Sequence, residues 1–170
     1  MKSSPKPIRR SPELAPLSRE HHEGLLFVWK IRQGLKNATD ITLLNAYVRW
    51  FWLEVLQHHL TKEEKTFVPM LDNDPQLIRM LDEHVAIRAF LEREETFDQD
   101  ALLELASLIE KHIRFEEREL FPHLERTLSS EQLLQANTQI ATSPVCRQWE
   151  EAFWISKVLE SPPGYNLEVE

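Results

Sequence analysis

A thirteen-residue phrase occurs twice in this chain, as 59-HLTKEEKTFVPML-71 and, 53 residues later, as 112-HIRFEERELFPHL-124. His59 aligns with His112, Glu63 with Glu116, Glu64 with Glu117, Pro69 with Pro122 and Leu71 with Leu124. Each copy has the apolar spacing of an amphipathic helix, yet its histidine and its first glutamate fall on the apolar side of the wheel. A fold that accepts both copies must bury two carboxylates and two imidazoles and then satisfy them.

The rest of the chain has the texture of a helical protein. From Leu17 onward glycine nearly vanishes, with Gly24 and Gly34 the only ones before Gly164. The spacing predicts a first helix from a Ser18 cap to about Lys36, with Leu17, Leu25, Val28, Ile31 and Leu35 on its buried stripe. A second is expected from about Asp40 to Thr66 and a third over 75–95, after the Asp72-Asn73-Asp74-Pro75 turn. A fourth runs from Gln99 to Phe121, with a kinked continuation past Pro122. Nothing reads as a strand. Four helices with short connections predict an all-α, up-down-up-down four-helix bundle over residues 17–128. Residues 1–16 carry four of the ten prolines and four Lys or Arg, the composition of a flexible or surface-lying arm. Residues 129–170 read as a C-terminal extension with helices over 129–141 and 144–160. Two of the five tryptophans, Trp149 and Trp154, are expected to lie against the outside of the bundle; the same aromatic tail leaves a homodimer surface open.

On the predicted wheels every helix turns one histidine inward. His84 lies in the stripe of Leu77, Leu81 and Leu91. His112 and Glu116 lie with Leu105, Ile109, Ile113 and Leu120, and His59 lies between Trp52 and Val55, with Glu63 one turn on. In the first helix the wheel favours His21, beside Leu17, Leu25 and Val28, although the local HHEGLLF phrase accommodates His22 as the alternative. His58 and His123 are expected outside the set, and Glu64 and Glu117 are read as solvated charges on the outer flank. An unpaired buried carboxylate costs several kcal/mol, whereas a domain of this size is stable by only about 5–15 kcal/mol. No Lys or Arg lies on the inward stripe at matching depth, Lys62 and Arg88 being the nearest. A metal centre resolves the conflict: two ions, each taking two histidines and one oxygen from each of two bridging glutamates. Mixed histidine and carboxylate donors suit iron, manganese or zinc rather than calcium or magnesium.

Composition narrows the partners. The net charge is −8 and the pI is near 5.4, which argues against nucleic acid or an anionic membrane as the main partner. No run approaches the roughly 20 apolar residues of a membrane helix, and no hydrophobic segment follows the basic N-terminus to make a secretory signal. The single cysteine, Cys146, excludes an intrachain disulfide and a CxxC site. The chain reads as cytoplasmic.

An early His, HxxxEE…FP, a mid-chain EH and a second HxxxEE…LFP together resemble the hemerythrin-like, HHE cation-binding family over residues 17–128. The resemblance implies a four-helix bundle around a non-haem di-iron centre, two iron ions with an oxo or hydroxo bridge; manganese or zinc would suit the same donors. Carried over residue by residue, it implies His21 (or His22), His59, Glu63, His84, His112 and Glu116 as ligands. It also implies a small diatomic ligand, O2 or NO, and roles in ligand binding, iron sensing or iron-centre repair, with a redox or protein partner. Oxygen-carrying members have a fifth histidine one turn after the third-helix ligand. Here that position is Arg88, so the chain is similar to the symmetric four-His, two-Glu branch. No general acid or nucleophile stands apart from the cluster, which leaves turnover open beside a metal or redox sensor, or a helical interaction module. Ferritin-like sites use ExxH and HD phosphohydrolases an HD pair; neither occurs here.

Overall fold

The computed structural model describes residues 9–93, 95–141 and 148–155. Among these there is no strand, and the chain forms five helical rods. The first, α1, is Ala15–Lys36. The second, α2, covers residues 41–67 as an α-helix Ile41–Phe51, a π-helical turn Trp52–Leu56 and an α-helix Gln57–Phe67. Then come α3, Pro75–Leu91, and α4, residues 99–127, whose π-helical turn Glu116–Leu120 joins Gln99–Phe115 to Phe121–Thr127. The last, α5, is Ser130–Ile140.

The starts follow local chemistry. Asp40, Asp74 and Asp98 each accept hydrogen bonds from first-turn backbone amides, which satisfies donors the helix itself leaves open. A Ser129–Gln132 capping box opens α5. Ser18 does not cap α1: the helix begins three residues earlier, and the Ser18 hydroxyl donates to Glu117 instead. Pro69 follows the end of α2. Pro122, its counterpart in the repeat, is carried through α4 because the wider π turn just before it eases the clash between a proline ring and the preceding turn.

Two apolar clusters fill the bundle, and the order in which each helix meets them establishes the topology. One contains Phe27, Ile31, Leu44, Phe51, Ile87, Leu102 and Ile109; the other contains Leu14, Leu17, Phe67, Leu77, Met80, Phe121 and Leu124. α1 and α3 run from the second cluster to the first, and α2 and α4 run the opposite way, so the bundle is up-down-up-down. On α1 and α3, His21 and His84 lie between the two clusters in chain order. On α2 and α4, His59, Glu63, His112 and Glu116 fall where the first cluster gives way to the second, so the six form a polar layer at the junction of the apolar ones. The π turn of α2 has a consequence here. It adds one residue to the turn and rotates the second half of the rod, so that Leu44, Val48 and Phe51 face inward before it and His59 and Glu63 after it.

At the periphery, α5 packs on the end of α2 and the start of α1. In place of the helix expected over 144–160, residues 148–155 contain no helix, and the rest of that span, with Cys146, lies outside the described residues. The aromatics do pack as expected: Phe153 is buried in the first cluster, with Trp149 and Trp154 beside it. Residues 9–14 are not a loose arm. Leu14 is fully buried, and the Arg10 side chain is 7% exposed.

The end of α1 stores backbone strain. Thr39 N–H donates to the Gly34 carbonyl and Ala38 N–H to that of Leu35, which places Ala38 in the left-handed region at φ 53°. A Cβ there costs about 1 kcal/mol relative to glycine. Ala38→Gly should therefore raise the thermal midpoint by a few degrees (about 2–4 °C per kcal/mol at this size); a lowered midpoint in a calorimetric scan would refute the assignment.

Candidate metal centre

His21, His59, His84 and His112 come one from each of the four bundle helices, and all are buried, as are Glu63 and Glu116. Their donor atoms form two groups. His21 Nε2, His59 Nε2, Glu63 Oε1 and Glu116 Oε2 make the first; His84 Nε2, His112 Nε2, Glu63 Oε2 and Glu116 Oε1 make the second. Within each group the atoms all lie within 4.8 Å of one another. Each glutamate thus gives one oxygen to each group, the disposition of a bridging carboxylate. The imidazole pairs repeat one geometry, with ring centroids 4.8 Å apart and interplanar angles of 71° and 73°. His22 is exposed on α1, as is His58 on α2, and His123 binds Asp74 at 2.7 Å away from the cluster.

The fit to a cation can be tested on unsatisfied atoms. All four carboxylate oxygens of Glu63 and Glu116, and Nε2 of His84 and His112, are buried with no directed hydrogen bond. The remaining two nitrogens, His21 Nε2 and His59 Nε2, face each other at 3.1 Å. In the neutral, Nδ1-protonated form that can ligate a metal, the two rings present only lone pairs to each other there. A native fold does not leave so many buried polar atoms unpaired without a reason. Donors about 2.0–2.2 Å from a shared cation stand roughly 3.0–3.5 Å apart; six of the eight His–Glu separations in the two groups run from 3.0 Å (His21–Glu116) to 3.6 Å (His84–Glu116), and the other two, His59–Glu116 and His112–Glu63, lie within 4.8 Å. The donor set and its spacing fit two metal ions.

Around this layer runs a second one that the sequence did not reveal. Each of the four clustered histidines directs Nδ1 at a carboxylate from another helix: His21 at Glu117 (2.7 Å), His59 at Glu20 (2.8 Å), His84 at Glu64 (2.8 Å) and His112 at Glu83 (2.9 Å). The helices contribute in rotation, with α4 serving α1, α1 serving α2, α2 serving α3 and α3 serving α4. Such contacts fix the tautomer, leave Nε2 free to ligate and raise its basicity. Glu64 and Glu117 are therefore not solvated charges. Their flank of the wheel faces the neighbouring helix rather than water.

Each outer carboxylate also meets a cation. Glu20 accepts from Lys62, Glu64 from Arg88, Glu83 from Arg79 and Glu117 from Arg10. Burial alone would raise the carboxyl pKa values. The imidazole and the cation outweigh it, holding Glu20 and Glu117 down to about 2 and lowering Glu64 and Glu83 as well. The cations nearest the centre are thus engaged with the outer ring and do not neutralise Glu63 or Glu116. Arg88 stands where a fifth histidine would be, and it binds Glu64 at 2.6 Å.

The family model described as the hemerythrin HHE cation binding domain matches residues 31–124, more than half of the chain. That span includes His59, Glu63, His84, His112 and Glu116 but begins after His21, whose place in the cluster rests on the geometry alone. Neither the curated proteins nor the solved structures returned a match.

Proposed function

The chain belongs to the hemerythrin HHE cation-binding family, and on that premise we propose that it holds a non-haem di-iron centre that binds a small diatomic ligand, O2 or NO. The observation that carries this reading is the sharing of Glu63 and Glu116 between two histidine pairs, with none of their oxygens in a directed hydrogen bond. His21 and His59 would hold one ion and His84 and His112 the other. Such a centre, when bound, supplies an electron pair from two ferrous ions and an open coordination position. The protein supplies the rest. The outer carboxylates orient the imidazoles, the two apolar clusters exclude water above and below, and Glu63 and Glu116 would hold the two ions close to each other.

Two further features favour iron over a purely structural zinc. Structural zinc sites are closed and four-coordinate, with cysteine prominent among their ligands. Here the six donors are all imidazole or carboxylate, and donors shared by two ions leave room for exogenous ligands on an octahedral metal. No described helix is long and apolar enough to cross a membrane, which agrees with action on a freely diffusing small ligand in the cytoplasm.

The test is metal content and visible absorption of protein purified without added metal, before and after reduction by dithionite and re-exposure to air. About two irons per chain, with near-ultraviolet oxo-bridge bands that bleach and return, are expected. One zinc, or no metal in a folded chain, would refute it.

A further inference from the structure

Of the four histidine–carboxylate–cation chains, three close within the bundle: Lys62, Arg88 and Arg79 lie on α2, α3 and α3. The fourth closes from outside it. Arg10 precedes α1, yet its guanidinium Nη2 donates to both the Glu117 carboxylate (2.8 Å) and the Glu117 carbonyl (2.6 Å), while Nε donates to Ser18 Oγ (3.3 Å). The Ser18 hydroxyl in turn donates to Glu117 Oε1, the same oxygen that meets His21 Nδ1. A second path reaches the same histidine. The guanidinium lies 5.0 Å from the Phe121 ring centre, and Phe121 stacks on the His21 ring at 5.1 Å and 12°.

The segment is tied down independently of Glu117. Arg10 Nη1 is 3.3 Å from Glu125, the Ser11 N–H donates to Glu125 at 2.8 Å, and Asn137 of α5 donates to the Glu13 carbonyl at 2.9 Å. Residues 10–14 therefore form a strap across the ends of α1, α4 and α5, with one buried charged side chain aimed at the support of a single histidine.

We propose that Arg10 is a positioning residue for the metal centre, and that the strap carrying it governs retention of the one ion held by His21 and His59. The inference rests on the dinuclear reading of the six donors. Without Arg10, Glu117 loses the guanidinium that holds both its Oε2 and its backbone carbonyl, so the carboxylate that orients His21 is less firmly fixed, and the Phe121 ring stacked on His21 loses the cation against it. His84 and His112 keep Glu64–Arg88 and Glu83–Arg79 intact, so the second ion has no reason to respond. Loss of an outer-sphere partner typically weakens a metal site by about 10–100-fold, and that effect should fall on one ion of two.

The experiment uses the full chain loaded with cobalt(II), whose visible ligand-field bands report coordination, and challenged with EDTA. In Arg10→Ala one of the two equivalents should leave about 10-fold faster or more, with altered bands for that equivalent alone and unchanged helical circular dichroism. Arg10→Lys should restore part of the retention. Glu125→Gln loosens the strap without touching Glu117, so it should accelerate the same equivalent less, and it tests the strap if Arg10→Ala fails to fold. Wild-type release from Arg10→Ala would overturn the proposal. So would equal acceleration of both equivalents with unchanged bands, the mark of a merely structural loss. If wild-type protein takes up fewer than two equivalents, the dinuclear reading falls first and the proposal with it.

Discussion

Glu63→Ala should cost the protein both metal ions, whereas His112→Ala should cost only one. The asymmetry follows from which atoms are shared. Glu63 places Oε1 beside His21 and His59, at 3.5 and 3.3 Å, and Oε2 beside His84 at 3.4 Å; its removal strips a donor from each group. It also removes half of the negative charge that lets two cations approach each other. His112 serves one group only. The loss at each ion for Glu63→Ala should exceed the roughly 100-fold that marks the upper range for outer-sphere changes. Elemental analysis of protein equilibrated with limiting iron(II) reads the difference directly. One equivalent retained by Glu63→Ala would mean that the carboxylate does not bridge. The fold should survive both substitutions, because in each case the lost side chain is polar and the apolar clusters on either side stay intact.

The inner six residues were legible in the sequence because they share one rule, a four-residue spacing on an apolar stripe, and that rule needs only one helix at a time. What lay beyond it required two. Glu20, Glu64, Glu83 and Glu117 each neighbour a site residue in sequence, before His21 and His84 and after Glu63 and Glu116, but each serves a histidine on a different helix. A wheel assigns them to a flank; only the packed bundle shows that the flank is an interface. Adjacency is the signal that could have found them, since a residue one step from the inward stripe points at the next helix. Arg10 was hidden for another reason. The proline and charge content of residues 1–16 describes a chain without a core of its own, but ion pairs with Glu117 and Glu125, more than a hundred residues away in sequence, outweigh that tendency for the part nearest α1. The π turns were unreadable because a 100° wheel assumes constant pitch. His59 was still placed correctly because Glu63 lies one turn beyond it, after the irregularity.

Metal uptake should release protons, and its affinity should climb with pH well past neutrality. In the metal-free protein burial opposes charge on His84, but Glu116, Glu63 and Glu64 overcome that and push its pKa up to about 11. His21 and His59 are likewise raised, against burial, chiefly by Glu116 and Glu117 for the one and by Glu63 and Glu20 for the other. A cation must displace the Nε2 protons, so each proton released steepens the affinity by about tenfold per pH unit. The same shifts determine the stability of the metal-free chain. Raised imidazoles stabilise it fully below their unfolded value of 6.5, and that contribution is lost as pH rises toward about 11. The depressed carboxyls of Glu20 and Glu117 stabilise it above 4.5, and their contribution is lost as pH falls toward about 2. Metal-free protein should therefore melt highest between these limits and progressively lower in alkali, while iron(II)- or zinc-loaded protein gains over the same range. The gap between the two midpoints should widen from about pH 6 to about pH 9. Titration calorimetry in two buffers of different ionisation enthalpy would count the protons. A gap that stays constant with pH, or a count of zero, would show that the imidazoles are already neutral before the metal arrives, and that the buried carboxylates are satisfied in some other way.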